Sequence, residues 1–582
     1  MSLGIPYGFT PRLNTSNSSE DLPDALSKEL YGESDDELEV STDGVTLYVK
    51  SSKGDLYCAS IVGDHFRLSG ASSPFGVGDM EDYVVGGGCV SPKKVLSKVL
   101  NFKQHFGATF AMTKDHSLYS CGTGVYCGYT GQGNKPLPYE YYTYEADDFT
   151  YTVWNYTNHQ FNKIAEDVDT YSNCAYCDKT YLSNTMSYEW IAQNGFNYVP
   201  HGLATYTKNG TLYGCGEIGS LKGTTEFSET FTVIPTLDHI KGCITMVNPK
   251  TGVGFYNLLI LKDNTIVTNG YGGEDNFVKN TYSQLDMLNP DMKKIITHPQ
   301  NVSGNANSNF IFIDGYGRLI IGGYINGVID ATDGFKVLYD KEVVVDAKSY
   351  NNTGVSFVTE SGDLYVIGYF SDFSAPSATK KIHTEPCKVT DGVVRYIIDQ
   401  NSGIVMVLKS DDSLYVFTGN GVQATTTTLV PASVEPSPTT YAWYKVADNV
   451  KDFFCGYAGR IGVKARGNSG VLFKDGTLVY LGQSDVFYNV PSGSDTVTDY
   501  TELLTNVRTF KQTGVRLTEP YEISYGTLYY TGYDVIPFNA LYGRTLRTGS
   551  ADEARVSVVE TYNDECYLWY SLQGYKGYKI EP

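Results

Sequence analysis

A short phrase recurs along this 582-residue chain and constrains its fold more than any other feature. It reads KDHSLYSCG (114–122), KNGTLYGCG (208–216), KDNTIVTNG (262–270), GYGRLIIGG (315–323), ESGDLYVIG (360–368), SDDSLYVFTG (410–419) and KDGTLVYLG (474–482). Each copy is a polar turn, an apolar pair and a closing glycine. An apolar run precedes most copies, as in LLILKDNTIV (258–267) and GVLFKDGTLVYL (470–481), so the unit reads strand, turn, strand. Asp, Asn, Gly and Ser in the turn accept left-handed backbone angles at little cost. Val, Ile, Leu, Tyr and Phe in the flanks suit a pleated, half-buried surface.

The marker residues Leu118, Leu212, Ile266, Leu319, Leu364, Leu414 and Leu478 recur at roughly the length of one four-stranded blade plus loops, with one longer gap between Leu118 and Leu212. Weaker copies at 52–60, 524–532 and 563–571 bring the candidate hairpins to ten. Repeats of this kind close into a ring because radial sheets leave few open edges. The expected fold is all-β, a β-propeller of about seven blades, with eight as the alternative and the surplus hairpins in insertions or a flanking element.

The phrase resembles the repeat of the regulator of chromosome condensation family over roughly 95–535, best at HFGATFAMTKDHSLYSCGTGVYCGYTGQGN (105–134). His105 and His201 match the family's His, and Gly122, Gly216, Gly368 and Gly482 match its closing glycine. Gly131, Gln132 and Gly133 echo its tail. The family's Trp is replaced by Cys121, Cys215, Ile367, Thr418 or Leu481. The resemblance implies a propeller; no surface matching the family's nucleotide-exchange function is visible, and fold alone does not give function.

Around this frame, 1–40 reads as a polar N-terminal arm and 41–582 as the propeller, with insertions at about 136–190, 421–445 and 484–500. The last hairpin is expected to close the ring by pairing with the strand near Leu47–Lys50. The first insertion is rich in aromatic residues. Tyr141, Tyr142, Tyr144, Tyr151, Trp154 and Tyr156 are its candidate binding residues, since Tyr and Trp give large contact area at low entropic cost.

The net charge of −21 repels phosphate backbones, which argues against nucleic acid as a partner. The start MSLGIPYGFTPRLN lacks the pattern of a secretory signal, and no run of about 18 apolar residues predicts a membrane span. Eleven cysteines without such a signal read as small hydrophobes rather than a disulfide framework. Cys174 and Cys177 form one C-x-x-C, and a zinc site would need a second pair such as Cys121 and Cys127. The turn aspartates Asp115, Asp263, Asp314, Asp412 and Asp475 recur at one structural place, which argues for turn geometry rather than catalysis. No P-loop, H-E-x-x-H or G-x-S-x-G pattern occurs.

The expected function is therefore a non-enzymatic scaffold without catalytic residues, metal or cofactor. Composition resembles a bacteriophage virion component of the tail or capsid surface. On that reading the partners are other virion proteins or a host-surface glycan or receptor, and several copies sit in a symmetric assembly. The location is the virion, assembled in a host cytoplasm, with a cytoplasmic location as the alternative. A polysaccharide-acting enzyme and a regulatory propeller binding a small GTPase are the other two classes left open.

Overall fold

Nine of the ten candidate hairpins form, and each supplies the second and third strands of its own sheet. In a computed structural model the described residues run from 37 to 580, apart from 61–91, 133–140, 177–200, 270–293, 298–308, 419–428, 458–466, 484–495, 517–552 and several shorter breaks. The tenth hairpin, 524–532, lies outside them. The turns follow the reading from sequence. Asp115, Asp411 and Asp475 each accept a hydrogen bond from the backbone N–H two residues on, at 3.3, 3.0 and 2.8 Å. Asp412 itself takes φ +64°, the left-handed conformation that Asn, Asp and Gly adopt most readily. Asp263 and Asp314 lie outside the described residues.

After each turn the marker residue opens the third strand. Leu56, Leu118, Leu212, Leu319, Leu364, Leu414 and Leu478 are all at most 1% exposed. Each such burial contributes about 1.5–3 kcal/mol. A one-residue slip would turn that side chain to the opposite face of its sheet, so the leucine fixes register.

The hairpins belong to nine successive antiparallel sheets, one after another in chain order. They span 39–96, 99–165, 170–233, 240–269, 294–339, 344–390, 393–447, 450–504 and 507–580. Eight have four strands, the fourth sheet has three among the described residues, and a separate two-stranded hairpin interrupts the second. First strands approach one another between the second and third, third and fourth, fifth and sixth, and seventh and eighth sheets, and the first strand of the ninth sheet lies against that of the first. First strands therefore line the axis and the ring returns on itself. The chain is a β-propeller. The described residues form nine such sheets, beside the seven or eight blades that the repeat spacing suggested.

Several boundaries differ from the sequence reading. The first strand is Glu39–Thr42 and Leu38 is buried, so the ring begins inside the segment read as an arm. Thr46–Lys50 pairs within the first sheet with 39–42 and 56–60, not with the last hairpin. The first sheet is complete from its own residues, and the ring closes between two sheets rather than inside one. Of the insertion at 136–190, only Tyr141–Ala146 and Phe149–Trp154 form the extra hairpin; Asn158–Ala165 and Thr170–Tyr176 are strands of the second and third sheets. Likewise Ala442–Ala447 and Thr496–Leu504 are fourth strands. Fourth strands lie on the outer rim, alternate polar with apolar, and lack the unbroken apolar run by which the inner strands announce themselves.

The cysteines behave as the small hydrophobes expected. Cys58, Cys121, Cys174, Cys215, Cys243 and Cys566 are buried in strands. Cys121, at a family Trp position, lies 3.4 Å from the Tyr48 hydroxyl, and burial pushes its thiol pKa up. Cys127 and Cys177 lie outside the described residues, and no cluster of metal-ligating side chains occurs among those described. Nor is any described helix long and apolar enough to cross a membrane.

Candidate recognition face

The two ends of the ring are unlike, and the up-and-down order of the strands makes them so. Turns between second and third strands share one end with the connections that lead from one sheet to the next. Both kinds are short: 209–210, 360–363, 391–392, 448–449 and 505–506 are examples. They also interlock. The first residue of a sheet, or in the third sheet Val168 just ahead of it, donates its backbone N–H to the turn of the preceding sheet: Val99 to Gly54, Val168 to His116, Ile240 to Gly210, Val344 to Gly317, Val393 to Gly362, Val450 to Asp412 and Val507 to Gly476, at 2.7–3.0 Å. In return Lys98, Val343, Gly392, Asn449 and Asn506, each just ahead of that residue, accept from the turn of their own sheet.

Sequence reasoning missed the signal for this device. It is LSKVLNF (96–102), AEDVDTY (165–171), TDGVVRY (390–396), ADNVKDF (447–453) and LTNVRTF (504–510). A residue at positive φ (Lys98, Asp167, Gly392, Asn449, Asn506) precedes the Val. A buried aromatic follows three residues later: Phe102, Tyr171, Tyr396, Phe453 and Phe510. The residue after the Val or Ile is passed over by the ladder at Leu100, Lys241, Val345, Val394, Lys451 and Arg508, a β-bulge repeated in six sheets. The bulge points some of these side chains forward. Lys451 Nζ donates to the Arg508 carbonyl of the next sheet at 2.6 Å. Other cations also reach across: Lys348 Nζ donates to the Tyr396 carbonyl at 2.6 Å and sits 4.4 Å from its ring centre, and Arg395 pairs with Asp452. Burial holds the Tyr396 phenol well above its ordinary pKa of 10.

Among the described sheets the long connections within a sheet leave from the other end; the link between the fourth and fifth sheets, 270–293, lies outside the described residues. Those between first and second strands include 177–200, 298–308, 458–466 and 517–552, and those between third and fourth include 61–92, 123–157, 419–441 and 484–495. A rigid ring with variable loops on one rim is the usual way a scaffold presents recognition. Two neighbouring connections are acidic: 61–92 holds Asp64, Asp79, Glu81 and Asp82 against Arg67, and 123–157 holds Glu140, Glu145, Asp147 and Asp148 against Lys135.

The structure brings five of the six predicted aromatic residues onto one hairpin. Tyr141 lies across from Trp154, Tyr142 from Val153 and Tyr144 from Tyr151. Tyr156 lies outside the described residues. Ahead of the hairpin in the chain, 130–132 is fixed against the second sheet. Ser120 Oγ donates to the Thr130 carbonyl at 2.6 Å, and Gln132 Nε2 donates to the Ser120 carbonyl at 2.6 Å. Asn162 Nδ2 donates to Gln132 Oε1 at 2.8 Å, and Gln132 forms an isolated bridge to Thr230 of the third sheet. Gly131, at φ +70°, lies flat against Phe231. Phe227 near this segment is 40% exposed. On the sixth sheet, at the same end, the paired residues Tyr369 and Ile382 are also exposed. The two family histidines do not coincide: His105 ends a first strand, whereas His201 opens a second.

No protein-family model matches the chain, and no curated protein matches it. Solved structures do show likeness. Yeast RCC1 (Prp20) bound to Kap60 is 12% identical, over 86% of this chain and 93% of that one, with a TM-score of 0.36. Prp20p from Saccharomyces cerevisiae, described with its binding to Gsp1p and histones, is 12% identical over 74% and 90%, with a TM-score of 0.35. Human WBSCR16 is 13% identical over 72% and 85%, with a TM-score of 0.31. None of these three is viral, and the virion partners expected from composition gain no support from them. The propeller itself stands on this chain's own strand order.

Proposed function

We propose that this chain is a non-enzymatic protein-recognition propeller whose binding face is the rim of long connections, with the hairpin at 141–154 as its main contact. The observation that carries the reading is the division of the ring. One rim is locked by reciprocal backbone hydrogen bonds, and the other bears the long connections and an aromatic hairpin. The acidic connections beside the hairpin favour a partner with a basic surface. The described turn carboxylates Asp115, Asp411 and Asp475 are engaged in turn hydrogen bonds, which supports binding over catalysis.

The test replaces 141–154 with a short Gly-Ser turn and compares affinity capture from the native source with that of the intact chain. The shortened chain is expected to keep its β circular dichroism and to lose a specific partner. Equal capture by both forms refutes the assignment of the hairpin. Release of reducing ends from a polysaccharide panel would refute the non-enzymatic reading.

A second reading is a regulatory propeller acting on a small GTPase. It is favoured by the repeat phrase, which resembles the regulator of chromosome condensation family and occupies the same place in sheet after sheet. Faster nucleotide release from a small GTPase in the presence of the chain would support it.

A further inference from the structure

Of the contacts between neighbouring sheets, the one between the ninth and the first has no connecting chain across it. It also holds the single buried carboxylate among the described residues, Glu560. Glu560 Oε1 accepts from Ser52 Oγ at 2.8 Å and from Ser52 N at 3.3 Å. Arg508, the bulged residue of the ninth sheet, lies 3.1 Å from the same oxygen, donates to Ser52 Oγ at 2.8 Å, and pairs with Asp564 at 3.0 Å. Lys53 of the first sheet pairs with Asp564 at 3.0 Å. Six other junctions rest on apolar clusters, such as Tyr48 and Leu56 with Val99 and Phe102, or Phe454 and Leu472 with Val507 and Phe510.

We infer that this seam is an acid- and salt-sensitive latch, the place where the ring opens as a unit before any sheet unfolds. Three observations agree. The seam lacks a covalent tie. Its ion network is only partly satisfied, since Glu560 Oε2 and Arg508 Nε have no hydrogen-bond partner among the described residues. A buried network left incomplete is less stable than an apolar junction of the same size. And Arg508 joins two carboxylates, Glu560 and Asp564, beside the first sheet.

The groups facing this network are Lys53, Asp55 and Tyr57 of the first sheet, Lys451 of the eighth, and Tyr562, Asp564 and Cys566 of the ninth. No histidine is among them, so the sensitive range is acidic. Lys53 and Arg508 hold the Asp564 carboxyl below its ordinary value. A carboxylate depressed in the folded state stabilises it at neutral pH and stops doing so as pH falls through the folded-state value. Protonating Asp564 removes the charge that faces Lys53 across the seam and that anchors Arg508, whose guanidinium donates to Ser52 Oγ of the first sheet.

The test is hydrogen exchange by mass spectrometry on the full chain, corrected for intrinsic rates, at pH 7 and about pH 3 and at low and 1 M salt. Peptides 46–60 and 553–571 are expected to lose protection by about tenfold at acid pH or high salt, while 354–371 and 404–418 hold theirs. Glu560→Gln should open the seam at neutral pH, Asp564→Asn should flatten its pH response, and Arg508→Lys should retain part of it. Simultaneous loss of protection in all four peptides would overturn the inference. So would an unchanged acid response in Asp564→Asn.

Discussion

Gly131→Ala is the sharpest single probe of how the clip between the second and third sheets is held. The residue sits at φ +70°, and a Cβ there would lie 2.3 Å from Phe231 Cε2. Phe231 has little room to withdraw, because its ring stands 4.8 Å from that of Tyr206 and 6.4 Å from that of Phe110. An alanine in the left-handed region costs about 1–2 kcal/mol, and overpacking a filled site costs about 1–3 kcal/mol more. The sum, about 2–5 kcal/mol, corresponds to a local opening constant raised between roughly thirtyfold and a few thousandfold. The effect should be confined to the clip joining the second and third sheets. Exchange at Gln132 and Thr230 and tryptic cleavage near Lys135 are the readouts, with peptides of the sixth to eighth sheets as internal controls. Gly131→Asn separates the two terms, since Asn tolerates the backbone angle but keeps the Cβ. An alanine variant that leaves exchange at Gln132 and Thr230 within about threefold of the parent would refute the account of the clip.

Two further outcomes follow from the core. Leu364→Ala, in the cluster between the sixth and seventh sheets, should lower the free energy of urea unfolding by about 2–5 kcal/mol, against less than about 0.5 kcal/mol for Val394→Ala on its exposed bulge; equal effects would contradict the assigned register. Burial holds the phenols of Tyr48, Tyr171 and Tyr396 well above 10, so the unfolded chain loses protons first and stability should fall as pH rises past about 10. A urea midpoint that stays constant from pH 8.5 to 11 would count against those three as buried.

The hairpins were legible in the sequence because turn chemistry and strand periodicity coincide there. KDGTLVYLG supplies an Asp that accepts from Thr477, a Gly at φ +86°, and a leucine that must be inside. The aromatic hairpin was legible as a composition, and its five placed residues do fall on one β-ribbon. The fourth strands were not, because TVTDYTELL (496–504) and AWYKVA (442–447) are rim strands whose polarity reads as loop. The first strands were hidden for another reason. Their bulge breaks the alternation at its start, so VVDAKSY and VVRYIID show neither a clean period of two nor an unbroken apolar run. The latch was invisible in principle, since Ser52 and Glu560 are 508 residues apart and nothing local marks either.

The reciprocal hydrogen bonds of the short rim have a consequence for how this wheel can change. A connection such as 391–392 is held by the turn before it and the turn after it, so one added residue would disturb two neighbours together. The opposite rim has already absorbed a whole extra hairpin without altering the order of the strands. Epitopes, reporters and natural differences in length therefore have one edge open to them and one closed.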